Sequence, residues 1–311
     1  MFTLKREQKV CQIGPWLVGG QPGDNPPLLV SSMFHKGDKI LGKRKAGEFD
    51  REKAASYIRK QEALSEQTGI PSITAMVANS ADEMKRYIDF FTGLSDKPFA
   101  IDMWMQDPRI EAVKYVAELG MMDRLLYNSI TPWDKDIPGQ VAMMKELGVK
   151  HVVVQVYDDN DPSPQGRVNS FRKMMEDIGE DTFETILVDT SVMNLPATSF
   201  SSVANRMIKE EFGLPAGLAS SNGTFMWKET REMWGNDGFS NMNVSAQAAA
   251  TMFWCDAIFF GPLVIAPRIF PAVVSASLML ATFAYNETGK LPSNPNHPLY
   301  KFFGEFAEKL K

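Results

Sequence analysis

Eight strand-like runs alternate with helix-like stretches along this chain, and no other feature narrows its fold as far. The runs cover residues 28–33, 72–77, 99–103, 124–128, 151–157, 185–188, 217–220 and 257–260. Strands that alternate with helices pair in parallel, because a parallel pair needs a crossover and a helix is the usual one. Eight such units favour closure into a barrel over an open sheet. The expectation is an α/β chain folded as a (β/α)8 TIM barrel. Its 311 residues suffice, since such a barrel takes roughly 250. No linker rich in Pro, Gly or Ser divides the chain, so residues 1–311 are expected to form one domain.

The stretches between the runs carry helix-end signals. Ser80-Ala81-Asp82-Glu83 has the form of a capping box, with the Ser hydroxyl on a first-turn N–H and the Glu reaching back. Met84, Tyr87, Ile88 and Phe91 follow at helical spacing as one apolar face. Gly93 ends that helix, where a left-handed residue is expected. Asp107-Pro108 reads as N-cap and first helical residue of the next, which ends at Gly120. Gly148, Gly179 and Gly213 mark further ends just before strands. Residues 9–20 read as a lid hairpin or first turn, and the charged insert 37–50 is placed over the first strand's mouth. The 298–310 piece, with Phe302, Phe303 and Phe306, reads as a packing helix.

Composition removes several function classes. Net charge is −5, pI is about 5.4, and acidic residues follow the one Lys/Arg-rich stretch at once, so nucleic acid is a poor partner. The two cysteines, Cys11 and Cys255, have no neighbours at metal-ligand spacing and give no disulfide framework, which fits a cytoplasmic setting and no metal. The N-terminus MFTLKREQKV lacks an apolar signal region. The most apolar segment, 262–285, is interrupted by Pro271. The unbroken piece beyond it is shorter than the roughly 20 residues a bilayer span needs, so no transmembrane segment is expected.

Four of the runs end on, or run directly into, a carboxylate or carboxamide: Asp102, Asn128, Asp189 and Asn222. A parallel barrel gathers its strands' carboxyl ends around one mouth, so these groups are expected to share a pocket. One carboxylate accepts two neighbouring N–H donors as a bidentate pair, and an Asn offers both a donor and an acceptor. Two Asp and two Asn suit a flat heterocycle rich in N–H donors, with a reduced pterin as the leading candidate. Each taken singly has a plainer reading as a helix cap or loop holder. Thr190 or Ser191 can cap in place of Asp189, and Asn222-Gly223 is a turn pair in which Asn adopts the left-handed conformation.

Several motifs resemble one family. The opening 2–23 with Val18-Gly19-Gly20-Gln21-Pro22-Gly23, then Met33-Phe34-His35, Phe49-Asp50-Arg51-Glu52, Tyr87-Ile88-Asp89-Phe90 and Tyr127-Asn128-Ser129-Ile130, are similar to the H-subunit family of the tetrahydromethanopterin S-methyltransferases, the methyltetrahydromethanopterin:coenzyme M methyltransferases. The likeness is strongest to its bacterial branch, the methylcorrinoid:tetrahydrofolate methyltransferases of methylamine and glycine betaine metabolism. More distantly, the strand ends resemble pterin-binding TIM barrels, including dihydropteroate synthase. The resemblance implies that Asp102, Asn128 and Asp189 hold the pterin ring, that Asn222 meets N5 as the catalytic residue, and that Ser221 lines the same loop. It further implies tetrahydrofolate or 5-methyltetrahydrofolate as substrate, a corrinoid protein carrying cobalamin as partner, and a homodimer.

The sequence departs from neighbouring chemistries. The Lys beside the pterin and the Arg motif of dihydropteroate synthase have no equivalent, and none of His35, His151 or His297 sits in an Asp-x-His-x-x-Gly corrinoid motif. The corrinoid would therefore arrive on a separate protein. A zinc-dependent thiol methyltransferase needs a Cys/His ligand set that two separated cysteines do not supply. A tetrahydromethanopterin-dependent methyltransferase subunit and a non-catalytic pterin-binding or assembly subunit stand as alternatives. His35 is read as structural.

Overall fold

The computed structural model describes residues 2–42 and 48–311. Among these the order is β1 (Val10–Ile13), β2 (Trp16–Gly19), β3 (Leu28–Met33), α1 (Arg51–Thr68), β4 (Ser72–Val77), α2 (Ala81–Thr92), β5 (Phe99–Asp102), α3 (Gln106–Glu118), β6 (Leu125–Ile130), α4 (Ile137–Glu146), β7 (His151–Gln155), α5 (Pro164–Ile178), β8 (Thr185–Asp189), α6 (Ala197–Phe212), β9 (Ala216–Leu218), α7 (Ser220–Met226), α8 (Thr230–Met252), β10 (Ala257–Pro262), α9 (Ala266–Thr288) and α10 (Pro298–Glu308). Strands β3 to β10 pair in parallel in chain order, and β10 pairs with β3 to close the barrel. The chain is thus a (β/α)8 TIM barrel with an added hairpin and an extra C-terminal helix.

Side chains alternate across each strand, and both barrel surfaces are buried, which is why the runs are almost continuously apolar. One set fills the interior: Leu28 and Val30, Ile73 and Ala75, Ala100, Leu126, Val153, Leu187 and Ala257. The intervening set, including Met76, Ile101, Tyr127, Val152, Ile186 and Val188, packs outward against the helices. This parity decides which strand-end residues point into the mouth.

Several local expectations need correction. The hairpin β1–β2 is no lid. Ile13 and Val18 are fully buried in the interior cluster beside Leu28 and Ala257, and Lys9 N donates to Gly213 O at 2.7 Å just before β9. It plugs the amino end of the barrel, opposite the mouth, because its two inward apolar side chains complete the lowest interior layer. Gly93 is right-handed, at φ −74°. Asp107 lies inside the first turn of α3, whose N-cap is Met105 with no side-chain bond. In the α2 box, Ser80 Oγ accepts from Glu83 N at 3.3 Å, but the Glu83 carboxylate accepts from Asn79 N rather than Ser80 N.

Pro271 lies within α9 without breaking it, so the helix is long and apolar enough to cross a bilayer by length and composition. It packs instead along α1, α8 and α10. Its outer face bears Met279 and Phe283, which with Phe303 and Phe306 of α10 line an apolar groove of about 730 Å³. The packing helix therefore keeps Leu299 and Ala307 buried while its phenylalanines stand exposed. The insert 37–50 lies partly outside the described residues. Its described parts join through a Leu41–Phe49 bridge, and Phe49 packs against Phe34 and Phe90 beyond the mouth end of β3.

Candidate functional site

Counting two residues on from the interior layer gives the floor of the mouth. Beyond Ala100, Leu126, Val153 and Leu187 lie Asp102, Asn128, Gln155 and Asp189. They stand on four consecutive strands, β5 to β8: Asp102, Gln155 and Asp189 are the last residues of theirs, and Asn128 comes two before the end of β6. Asp102 is register partner to Asn128, and Gln155 to Asp189. Neighbouring strands stand about 4.8 Å apart, so the four groups form a continuous polar arc. On the opposite side, Ser32, Val77 and Gly261 take the equivalent places after Val30, Ala75 and Phe259. One wall offers hydrogen bonds and the other offers room.

The arc is unevenly satisfied by the protein. Among the described residues, nothing donates to the Asp102 carboxylate, and the Asn128 amide has no hydrogen-bond partner; both are half-buried. Asn128 therefore does not serve as a loop holder. Asp189 is 8% exposed, and its Oδ1 accepts from Ser191 N at 3.0 Å while Oδ2 has no protein donor among the described residues. Gln155 Nε2 donates to Ser191 Oγ at 3.2 Å, leaving its carbonyl to the mouth. Hydrogen-bonding capacity that the described residues leave unspent thus faces one mouth, which makes it the candidate ligand site.

Electrostatics agree. Burial raises Asp102 to about 6, against the pull of Arg109. Burial likewise raises Asp189 to about 6; the Ser191 N–H and Arg167 lower it and Asp102 raises it. Two carboxylates shielded from water and close enough to repel each other gain from a donor-rich ligand. Perturbed carboxylates that share a mouth make it a candidate site.

The loop after β8 is built to hold Asp189. Thr190 Oγ1 donates to the Asn205 amide oxygen at 2.8 Å, and Arg167, 1% exposed, donates to Thr190 O at 2.7 Å and Ser191 O at 3.2 Å. Neither Thr190 nor Ser191 caps α6, whose N-cap is Pro196.

Asn222 and Ser221 lie on α7, which directly follows β9 at the mouth end of the barrel. Asn222 is exposed and helical, not the left-handed turn residue of the plainer reading. Gly223 is small for a packing reason: a Cβ there would stand 2.9 Å from backbone atoms of Asn194 and Leu195. That close approach brings α7 onto the loop after β8. Ser221 does not offer its hydroxyl to the mouth. The side chain is 2% exposed, donates to Phe260 O at 2.6 Å, and accepts from Gln247 at 2.7 Å and Asn243 at 3.1 Å. It anchors α7 to α8 and β10, and Asn222 projects from that anchor. His35 follows β3, with Nδ1 3.9 Å from Asp38 Oδ2.

Sequence reading missed Gln155. Extending its strand to Tyr157 buried the residue mid-run, whereas β7 ends at Gln155 and puts it between Asn128 and Asp189. The run's one carboxamide, two residues past Val153, was the available signal.

A family model described as tetrahydromethanopterin S-methyltransferase MtrH subunit matches residues 6–290. The chain is 29% identical over 316 residues to the H subunit of tetrahydromethanopterin S-methyltransferase from Methanopyrus kandleri, covering 94% of this chain and 97% of that one. To the corresponding protein of Methanosarcina mazei it is 28% identical over 316 residues, covering 97% and 99%. The 7,8-dihydropteroate synthase of Vibrio fischeri ES114 aligns with a TM-score of 0.57 at 13% identity, over 88% of this chain and 98% of that one. At that identity the likeness speaks to the barrel fold alone.

Proposed function

We propose, on the premise that the chain belongs to the tetrahydromethanopterin S-methyltransferase MtrH-subunit family, that it exchanges a methyl group between N5 of a tetrahydropterin and a corrinoid carried by a separate protein. The observation that carries this reading is the arc itself: the Asp102 carboxylate and Asn128 amide, without hydrogen-bond partners among the described residues, beside Gln155 and Asp189. A carboxylate there accepts the N3–H and 2-amino pair of a pterin. The amides of Asn128 and Gln155 read its mixed donor and acceptor positions.

Transfer to the pterin is an in-line displacement. The N5 lone pair attacks the methyl carbon, the cobalt–carbon pair stays with cobalt, and the N5 proton leaves afterwards. The barrel's part is to hold the ring edge-on with N5 uppermost, and Asn222, exposed on α7, is the residue assigned to hydrogen-bond N5 as its charge changes. Positioning and prearranged polar groups supply most of such a rate gain. No protein nucleophile takes part.

The partner must cover the mouth. The segments after β5, β6 and β9 expose Trp104, Met105 and Trp133 on loops and Met226, Trp227 and Trp234 around the α7–α8 junction. Trp104, Trp133 and Tyr157 form a ladder with ring centroids 6.0 and 6.4 Å apart. Exposed apolar side chains grouped at one end of a barrel support docking of a partner there. A homodimer belongs to the same proposal, with the apolar groove between α9 and α10 as the surface that supports it.

The relatives' names favour tetrahydromethanopterin as the carrier. The bacterial-type motifs favour tetrahydrofolate, with glycine betaine or a methylamine as upstream donor. Anaerobic titration calorimetry with both methylated carriers decides. Binding of one carrier, lost in Asp102→Ala, is expected and identifies it. Binding of neither overturns the pterin reading and leaves a scaffold subunit. Binding without turnover against a corrinoid protein selects the non-catalytic alternative.

A further inference from the structure

Arg109 is among the largest fully enclosed side chains of the molecule, at 2% exposure, and lies on the first turn of α3. A guanidinium is seldom buried unless each face of it is used. Its Nη1 donates to Met103 O at 3.0 Å, in the residue directly after Asp102. Its Nη2 reaches both oxygens of Asp134 at 2.8 and 2.9 Å. Its Nε donates to Tyr127 Oη at 2.6 Å, in the residue directly before Asn128. Asp134 in turn accepts from Thr131 N at 3.0 Å, three residues past Asn128. Gln140 closes the set against Tyr127 Oη and, with its amide turned, donates to Asp134 at 3.1 Å.

One planar fork thus holds the chain just after Asp102 and on both sides of Asn128, the two arc residues whose side chains have no hydrogen-bond partner among the described residues. We propose that Arg109 is a positioning residue of the pterin pocket, fixing Asp102 and Asn128 side by side through the loops that follow β5 and β6. The inference rests on the pterin reading of this site. Arg109 touches no ligand position directly; it acts through Asp102 and Asn128. A lysine keeps the charge but cannot span Met103 O, Tyr127 Oη and both Asp134 oxygens at once.

The test is a double-mutant cycle on carrier affinity, measured by anaerobic calorimetry with the full chain. Arg109→Lys is expected to weaken binding about tenfold, as is usual for a group one bond removed from a ligand-binding side chain. Asp102→Asn alone is expected to weaken it more. If Arg109 acts through Asp102 and Asn128, adding Arg109→Lys to the Asp102→Asn/Asn128→Ala pair lowers affinity no more than about twofold further, because the added change has little left to remove. A general loss of stability would instead multiply the two effects. Full multiplication, or wild-type affinity in Arg109→Lys, overturns the role. Should Arg109→Lys not fold by circular dichroism, Tyr127→Phe removes one bond of the clamp and carries the same cycle. A wild-type protein that binds neither carrier is a different failure, since it overturns the pterin reading itself.

Discussion

Replacing Asp189 by Asn should move binding and stability in opposite directions, which a purely structural residue cannot do. The carboxylate's Oδ1 accepts from Ser191 N, and an Asn oxygen can keep that bond. The other oxygen faces the mouth and becomes an NH₂ group. A ligand N–H then meets a donor where it met a charged acceptor. Losing a charged hydrogen bond of this kind costs about 2–3 kcal/mol, or about 30- to 150-fold in Kd. The fold, in contrast, is relieved. An ordinary Asp titrates near 3.8 and Asp189 at about 6. At roughly 1.4 kcal/mol per pH unit, keeping it ionised at neutral pH weighs on the empty protein by about 3 kcal/mol. Even a third of that relief raises Tm by about 1–2 °C in a chain of this size. Calorimetric titration with the carrier and thermal unfolding of the empty protein read the two effects separately. An Asp189→Asn variant that binds as the wild type does, or that melts lower while losing binding, refutes the argument.

Three further outcomes follow from the same geometry. Carrier affinity should fall as pH drops through about 6, not about 4, because Asp102 and Asp189 must be ionised to accept the ring's donors; the empty protein has the opposite trend from these two groups, their raised values giving stability that is complete below about 4 and lost as pH rises through about 6, so titrating Kd and Tm across pH 4–8 checks both signs. Asn222→Ala should lower turnover about a hundredfold while changing carrier affinity less than about threefold, as seen in steady-state assays beside calorimetry; equal losses in both would remove Asn222 from the transition state. Gly223→Ala should destabilise by about 1–3 kcal/mol through overpacking, since its Cβ meets backbone of Asn194 and Leu195 at 2.9 Å, and should lower turnover by moving Asn222; unchanged melting and kinetics would show that α7 has slack.

Much of the barrel was legible because its signals are local. Each run shows its own apolar continuity, and several of the intervening helices carry a side-chain N-cap of their own, as at Asp50, Ser80, Asp136 and Ser163, so the eight strands stand close to where periodicity puts them. Strand parity extends that legibility to the site: once Ala100, Leu126 and Leu187 are interior, Asp102, Asn128 and Asp189 must point into the mouth. Parity does not reach Asn222, which stands on a helix packed through Gly223 and not in the turn its sequence suggested.

What the chain's one-dimensional pattern could not decide is where separately encoded pieces meet. The hairpin's Ile13 and Val18 are equally apolar whichever end of the barrel they close; only the unfilled lowest layer selects the amino end. Ser221 is a hydroxyl beside Asn222 in sequence, yet Gln247 and Asn243, more than twenty residues away, turn it from the mouth into an anchor. Arg109 reads as one more charge on a helix until the fold brings it beneath Tyr127, Met103 and Asp134. The sequence by itself determined the barrel and the acids and amides at its strand ends, because period and parity are properties of a single strand. Tertiary structure decided which of those groups keep unspent hydrogen-bonding capacity among the described residues, because a hydrogen bond is spent or spared only when its partner arrives from elsewhere in the chain.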